Sequence, residues 1–164
     1  MSLRTDLENV SGELWQNSRV KIKPLTTQAD LVYAGHQCEL TDEQKELVSP
    51  FWFLIGRAYL NKENHYPCII YNESDTPIGF INLCVWGGEG DAYSWSFYID
   101  KKHQNKGYGK QAAELAVSIL KAANPRKQIK LATESTNSKA QGLYLALGFE
   151  KLPEMDGDDL VFGL

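Results

Sequence analysis

A glycine-rich segment near the middle of the chain constrains its fold more than any other feature. It reads Gln104-Asn105-Lys106-Gly107-Tyr108-Gly109-Lys110. Glycines leave the backbone few steric limits, so several N–H groups can converge on an anion while a following helix presents its positive end. A loop of this kind can also simply join a strand to a helix, so the flanking residues matter.

The flanking residues predict a strand before the loop and a helix after it. Upstream, apolar residues alternate with Ser94, Ser96 and Tyr98, a period of two that indicates a strand with one face in a core. Downstream, apolar residues recur every three or four positions until Asn124-Pro125, as in an amphipathic helix. The alternating residues are Tyr93, Trp95, Phe97 and Ile99, and the helical ones are Ala112, Ala116, Ile119, Leu120 and Ala123. The loop lacks both the Lys-Ser/Thr ending of a nucleotide P-loop and the third glycine of a dinucleotide fingerprint, so ATP and NAD are not expected ligands.

The loop resembles the coenzyme A loop of the GCN5-related N-acetyltransferases (the GNAT family), whose pattern is Gln/Arg-x-x-Gly-x-Gly/Ala. Gln104, Gly107 and Gly109 fit that pattern. A second family element follows in order: a strand over residues 129–133, then Asn137, then the helix with Ala140, Leu143 and Tyr144, and the pair Gly148-Phe149. The two motifs lie in about the last two thirds of the chain. The ending, residues 154–162, is similar to that of bacterial spermine/spermidine-type acetyltransferases.

The resemblance implies a fold, a cosubstrate and a reaction type. The fold is α/β (α+β), one domain over residues 1–164 with a mixed, mostly antiparallel central sheet and helices on both faces. The cosubstrate is acetyl-CoA, whose acetyl group moves to a primary amine without a metal. In the family, the strand before the loop lends backbone groups to the pantetheine arm and the loop N–H groups hold the pyrophosphate. The implied cofactor-binding residues are Phe97, Tyr98, Ile99, Gln104, Asn105, Lys106, Gly107, Tyr108, Gly109, Lys110 and Asn137.

Several of these residues have a structural alternative. The side chains of the strand residues suit a core, and the two loop lysines suit solvent. Asn137 suits the N-terminal cap of a helix as well as it suits a cofactor contact. Asn105 stands where close relatives often have glycine, but asparagine tolerates positive φ better than most residues, so we expect an intact loop.

The chemistry of acetyl transfer requires a proton acceptor for the amine and a proton donor for the leaving thiolate, whose thiol has a pKa of about 8.5. Tyr144 matches the family's general acid, because a phenol with a pKa of about 10 stays protonated at neutral pH. Packing in a core is its alternative role. The base is open, since residues 92–99 contain no carboxylate. Asp91 before that strand and Glu134 after the next one are candidates, beside ordered water.

The acceptor is open as well. A polyamine or another small primary amine is the first choice, and a protein N-terminus or an aminoglycoside is the alternative within the same class. Acidic residues at 39, 42, 43 and 46 could hold a polycation, although such a cluster is usually a solvated face. A noncatalytic acyl-CoA-binding regulatory module would keep the loop without needing Tyr144, so the presence of both favours an enzyme.

Length and composition agree with one globular domain. The chain has 164 residues and a net charge of −4, which argues against nucleic acid as the main partner. The chain has three cysteines, an odd number, and their spacing is not that of metal ligands. This pattern indicates reduced thiols. No apolar run reaches about 18 residues and the first residues are charged, so we expect no membrane association and a cytoplasmic location. The oligomeric state stays open, with a homodimer among the options.

The remaining residues predict elements around these motifs. A first strand is expected at Val20 and Ile22, after a segment, residues 1–17, that either packs on the fold or is loosely attached. Residues 26–39 and 42–60 predict helices with a break at Ser49-Pro50. Two strands, 68–71 and 78–86, are expected around a turn at 72–77, with a hairpin over 87–91. One last strand should follow the helix that carries Tyr144.

Overall fold

Two sheets form the centre of the protein in the computed structural model, which describes residues 2–88 and 90–164. The first sheet is antiparallel in the order β1-β2-β3-β4, and the second is antiparallel in the order β5-β7-β6. The strands are β1 (Val20–Pro24), β2 (His65–Asn72), β3 (Pro77–Val85), β4 (Tyr93–Ile99), β5 (Lys130–Thr133), β6 (Glu150–Asp156) and β7 (Asp159–Gly163). The prediction of a single strand after the helix that carries Tyr144 is therefore wrong, because two strands follow that helix. Gly157, at φ +59°, and Asp158 turn the chain between two strands.

Six α-helices accompany the strands in the described residues. They are α1 (Leu3–Glu8), α2 (Gln28–Val32), α3 (Asp42–Leu47), α4 (Phe51–Leu60), α5 (Tyr108–Ala123) and α6 (Ser138–Ala146). A π-helical turn over Tyr33–Gln37 extends α2. Thr27 and Thr41 begin α2 and α3 with reciprocal capping boxes, and Pro50 immediately precedes α4. The predicted break at Ser49-Pro50 is confirmed. Across the described residues, no helix combines the length and the apolar character needed to span a bilayer.

The first sheet is covered on both faces, as predicted. On one face, α5 lays a fully buried stripe against the strands, and its small alanines let the helix approach closely. That stripe consists of Ala112, Ala113, Ala116, Ile119 and Leu120. On the other face, Tyr33 and Leu54 of the α2–α4 region pack on Phe80 and Tyr98. The alternation along β4 therefore divides its side chains between two cores.

β4 and β5 are parallel neighbours that meet at one end only. The pair Tyr93 and Ile129 bridges them, and the Tyr93 N–H donates to the Gln128 carbonyl at 2.8 Å. Beyond this bridge the described residues form no ladder between the two strands, which places them in separate sheets. We call the space that opens toward their carboxyl ends the β4–β5 gap. Residues 104–110 follow β4 and α6 follows β5, so both lie at the open end of the gap.

The amino-terminal helix belongs to the core. Leu3 and Leu7 are each 1% exposed and pack in the cluster under α5. The buried Tyr93 hydroxyl donates a hydrogen bond to the Asp6 carboxylate, which ties α1 to the start of β4. The alternative of a loosely attached segment is therefore wrong for α1.

Truncation of Leu7 should measure how much this helix contributes. We expect Leu7→Ala to lower the free energy of unfolding by about 2–4 kcal/mol, because it removes buried methyl groups and leaves a cavity. Urea denaturation followed by circular dichroism gives the value. Leu14→Ala is the control, since Leu14 is 47% exposed and should change the free energy by less than about 0.5 kcal/mol. Equal effects of the two substitutions would contradict the packing of α1.

Candidate active site

The loop before α5 has the backbone geometry of an anion site. Asn105 and Gly107 have φ values of +60° and +83°, and Gly107 is the N-cap of α5. The expectation that asparagine supports positive φ at this position is confirmed. The first intrahelical bond runs from the Gln111 N–H to the Gly107 carbonyl, so the three N–H groups before Gln111 lack acceptors within the helix. They lie at the positive end of a 16-residue helix.

Positive side chains surround this loop although the chain as a whole is acidic. Lys102, Lys106 and Lys110 are exposed along it. The Lys106 ammonium donates to the Lys102 carbonyl at 3.3 Å, and Arg19, which precedes β1, donates to the Lys106 carbonyl at 3.1 Å. The local charge therefore suits a phosphorylated ligand.

Hydrogen-bond alternation decides which backbone groups of β4 are free. The Tyr93 N–H points toward β5, whereas the Asp100 N–H donates to the Ile78 carbonyl on the β3 side at 2.7 Å. Because neighbouring residues of an antiparallel pair point their N–H and C=O groups to opposite sides, Phe97 and Ile99 face the β4–β5 gap. Tyr98 pairs with β3 instead, and its ring packs under α4. This geometry argues against a backbone contact by Tyr98, and the cosubstrate contacts predicted for Phe97, Tyr98 and Ile99 stay predictions.

The Gln104 side chain joins the loop to the opposite side of the sheet. Its Nε2 donates to the Ile99 carbonyl at 2.8 Å and to Gln44 Oε1 of α3 at 2.6 Å. Both amide protons are then used within the protein, so this group is not turned toward a phosphate. Because the Ile99 carbonyl already accepts a hydrogen bond, the Phe97 carbonyl is the one nearest the open end of β4 that has no partner among the described residues.

Helix α6 holds Tyr144 beyond the end of β5. Asn137 Oδ1 accepts a hydrogen bond from the Ala140 N–H at 3.1 Å, so the capping alternative is confirmed for Asn137 and a cofactor contact by its nitrogen stays a prediction. The Tyr144 ring lies 5.9 Å from Phe149 and 5.7 Å from Phe162, centroid to centroid. Burial raises the pKa of Tyr144 to about 12. Its hydroxyl makes no hydrogen bond to the described residues, so it is a protonated donor without a protein acceptor.

The two candidate bases lie at opposite ends of β4 and β5. Asp91 precedes Tyr93 at the closed end, about 20 Å along an extended strand from Phe97. It lies beside Trp86, Arg126 and Lys130 in a separate cavity. Asp91 is therefore a wrong candidate. Glu134 is exposed at the open end and its carboxylate accepts from the Thr136 hydroxyl at 3.4 Å, so its role as base stays a prediction.

Carboxylates collect at the same open end. Thr133 pairs with Leu160, which places the β6–β7 turn beside Glu134. Partial burial, followed by repulsion from Glu134 and then from two neighbouring aspartates, raises the pKa of Asp159. We call Glu134, Asp156, Asp158 and Asp159 the hairpin carboxylates. None of them forms an ion pair with the part of the chain that the structure describes.

The acidic residues around α3 agree with the solvated-face alternative, and two of them are paired. Glu39 pairs with Lys101 at 2.5 Å, which lowers the pKa of the Glu39 carboxyl, and Asp42 pairs with Lys45 at 3.3 Å. A cavity of about 340 Å³ lined in part by Glu39, Lys45, Lys101 and Tyr98 therefore has a mixed rim rather than an acidic one. Glu43 and Glu46 are exposed on α3. Residues 39, 42, 43 and 46 do not form one unpaired acidic surface.

Comparison with known families identifies the class of protein that this fold defines. Residues 31–149 match the model of the acetyltransferase (GNAT) family, and the chain belongs to that family. It is an acetyl-CoA-dependent N-acetyltransferase, as the sequence predicted. A comparison with curated protein sequences gives no match. Within the described residues, no group of three or more His, Cys, Asp or Glu side chains could hold a metal ion.

Solved structures with the same fold include several acetyltransferases. An acetyltransferase from Agrobacterium tumefaciens is 18% identical, with 91% of this chain and 92% of that chain covered and a TM-score of 0.71. The aminoglycoside acetyltransferase AAC(6')-Ib in complex with coenzyme A is 19% identical, with 88% and 94% covered and a TM-score of 0.70. A mutant of the spermidine N-acetyltransferase SpeG from Vibrio cholerae is 16% identical, with 90% and 92% covered and a TM-score of 0.67. At these identities the likeness concerns the fold.

Two sets of residues near the gap were not predicted from the sequence to be functional. Arg19 contacts the loop from 87 positions away, and no spacing pattern could have revealed that contact. The aspartates at 156, 158 and 159 did carry a signal, because acidic residues cluster around Gly157 in a turn-forming sequence. What the sequence could not show is that β7 pairs with β5 and thereby brings the turn to Glu134.

Proposed function

We propose that this enzyme acetylates the primary amine of a small cationic acceptor, with a polyamine as the first candidate. The observation that carries the proposal is the β4–β5 gap, which has a different chemical group on each side of its open end. The cationic loop follows β4, the unpaired hairpin carboxylates lie beside the end of β5, and Tyr144 lies on the helix after β5. One side suits a pyrophosphate and the other suits an ammonium ion.

The acetyl group would react at the open edge of β4. The pantetheine arm would pair with the free backbone groups of Phe97, and the Phe97 N–H would donate to the thioester carbonyl oxygen. A neutral amine nitrogen attacks the carbonyl carbon and forms the new C–N bond, and the negative charge moves to the oxygen. Because the N–H is already held by the sheet, it stabilises this charge without reorganisation.

Collapse of the tetrahedral intermediate breaks the C–S bond. The thiolate takes the Tyr144 phenolic proton, and the tyrosine regains a proton through solvent. The amine nitrogen gives up its extra proton to ordered water or to Glu134, which stays the candidate base. The products are the acetylated amine and free coenzyme A, so protons and charge balance over the cycle.

The charge at the open end favours acceptors that carry more than one ammonium group. Spermidine and aminoglycosides, which the names of two proteins of the same fold mention, both have this property. A second cationic group could lie on the hairpin carboxylates while a neutral amine reacts. A protein N-terminus lacks an obligatory second cation, so it is the alternative that this surface favours least. Buried or half-buried free thiols at Cys38, Cys68 and Cys84 fit a reducing, cytoplasmic setting for such an enzyme.

An acceptor panel with two charge-matched variants tests this function. We expect Asp158→Asn combined with Asp159→Asn to raise the KM for spermidine about tenfold, because two charge interactions near the surface contribute up to about 1 kcal/mol each. The KM for acetyl-CoA and turnover of a monoamine should change little. Salt should weaken spermidine turnover more than monoamine turnover, since screening acts on the charged contact. The assay follows free coenzyme A with a thiol reagent.

The control is Glu43→Gln combined with Glu46→Gln, which removes the same charge from α3. If this variant changes the KM for spermidine and the hairpin variant does not, the acceptor lies on the α3 side. Turnover of peptides with no turnover of polyamines or aminoglycosides would refute a small cationic acceptor. Absence of turnover with every amine, together with tight coenzyme A binding, would instead support a noncatalytic regulatory module.

A further inference from the structure

Three side chains from distant parts of the sequence meet behind the cofactor loop. Arg19 donates to the Lys106 carbonyl at 3.1 Å, and its guanidinium carbon lies 4.7 Å from the centre of the Tyr108 ring. The Tyr108 hydroxyl donates to one Glu73 carboxylate oxygen at 2.9 Å, and Arg19 Nε lies 3.7 Å from the other. Arg19 precedes β1 and Glu73 lies in the β2–β3 turn, so the contacts bind the loop to the far edge of the first sheet.

The loop needs such support because of its backbone conformation. Asn105 is held at φ +60°, a backbone conformation that disfavours residues with a side chain, asparagine less than most. A loop that converges its N–H groups on an anion must also turn its carbonyls away. The Lys106 carbonyl, between two residues of positive φ, is the one that Arg19 holds.

The acid in this group is ionised at neutral pH. Hydrogen bonds from its own backbone N–H and from the Tyr108 hydroxyl, followed by attraction to Arg19, lower the pKa of Glu73. The carboxylate therefore neutralises part of the Arg19 charge. If Arg19 acted only by attracting phosphate, the neighbouring Glu73 carboxylate would weaken that attraction.

We propose that Arg19, Glu73 and Tyr108 form a clamp that holds the loop in its pyrophosphate-binding conformation, with Arg19 as a positioning residue. The proposal rests on the assignment of this loop to the acetyl-CoA pyrophosphate. Arg19 acts through the Lys106 carbonyl and the Tyr108 ring. Its contribution should therefore depend on whether the substrate has a pyrophosphate.

Truncated cosubstrates provide the test. For Arg19→Ala, kcat/KM should fall about tenfold with acetyl-CoA and with its 3'-dephospho form, from the loss of one hydrogen bond and one cation–π contact. With S-acetylpantetheine, which has no phosphate, wild type and variant should be equal. A loss that disappears with the dephospho form would overturn the clamp, because Arg19 would then bind the 3'-phosphate directly. An equal loss with all three cosubstrates, or no loss, would overturn it as well.

Glu73→Ala should change coenzyme A affinity in opposite directions, depending on whether Arg19 acts only by its charge or as part of the clamp. If Arg19 acts only by its charge, removal of the neighbouring carboxylate should tighten coenzyme A binding. If the clamp is correct, removal should weaken binding several-fold, measured by calorimetry. Arg19→Lys should recover little, because lysine keeps the charge but lacks the planar group that stacks and donates at once.

Arg126→Ala is the control for net charge. Arg126 is exposed after α5, near the closed end of the β4–β5 gap, and its loss should leave all three cosubstrates unaffected. Thermal unfolding of each variant checks that the protein is folded. Gly109→Val separates the clamp from the assignment on which it rests. If Gly109→Val loses affinity and Arg19→Ala does not, the clamp alone is wrong; if neither loses affinity, the loop assignment is wrong.

Discussion

Replacement of Tyr144 by phenylalanine should lower kcat by about 10²- to 10⁴-fold and leave coenzyme A affinity nearly unchanged. The variant deletes the phenolic proton donor and keeps the ring that packs on Phe149 and Phe162. Because the hydroxyl has no hydrogen-bond partner in the described residues, its removal leaves no protein group there with an unsatisfied hydrogen bond. The loss should therefore appear in the chemical step and not in stability.

Steady-state kinetics and calorimetry on the same preparation distinguish the roles open to Tyr144. Tyr59→Phe is the matched control, since Tyr59 is 74% exposed on α4 and should turn over normally. Near-normal turnover of Tyr144→Phe would rule out an essential acid. Lost affinity with normal kcat at saturation would make Tyr144 a binding residue. An acetyl thioester of a more acidic thiol should narrow the difference, because its thiolate leaves without a proton.

The pH dependence of kcat provides a second check on Tyr144. Burial raises the pKa of its phenol to about 12, so the donor stays protonated throughout the neutral and mildly alkaline range. Deprotonation of the amine becomes easier as pH rises, so wild-type kcat should rise toward a plateau. No fall should appear below about pH 10. A descending limb near pH 9 in wild type that is lost in Tyr144→Phe would contradict the raised pKa.

Gly109→Val should weaken coenzyme A binding by about 10²-fold, because charge-assisted bonds from backbone N–H groups to phosphate contribute about 1.5–3 kcal/mol each. The protein itself has room for the side chain. A Cβ at Gly109 would lie 3.9 Å from Ile99 Cγ1, which is an ordinary contact, and the residue does not have positive φ. The steric conflict would therefore be with the bound pyrophosphate.

Calorimetric titration with coenzyme A measures this loss. Gly56→Val is the control, because a Cβ there has no heavy atom within 4 Å and the residue also lies in a helix. It introduces the same β-branched side chain away from the loop. Unchanged affinity in a folded Gly109→Val protein would remove the loop from the cofactor site.

Local sequence was sufficient for the central strand-loop-helix unit. Alternation over Tyr93–Ile99 and the helical repeat after Gly109 each reflect one element with one face in a core, and such patterns need no knowledge of neighbours. The positive φ at Asn105 and the helix cap at Asn137 are likewise properties of a few consecutive residues. Sequence therefore determined the loop, the cosubstrate class that its motif implies and the position of Tyr144.

Tertiary structure decided which groups meet around the β4–β5 gap. The pairing register leaves the Phe97 backbone at the free edge of β4 and turns the Tyr98 backbone toward β3. The sequence could not show this, because the side to which backbone groups point depends on which strand pairs with β4. Strand pairing also placed Asp91 at the closed end and brought Glu134 beside the β6–β7 turn. The tertiary fold also brings Arg19 into contact with Lys106 and Gln104 into contact with Gln44. These contacts bring together residues far apart in sequence, and only the folded arrangement of strands fixes which of them meet.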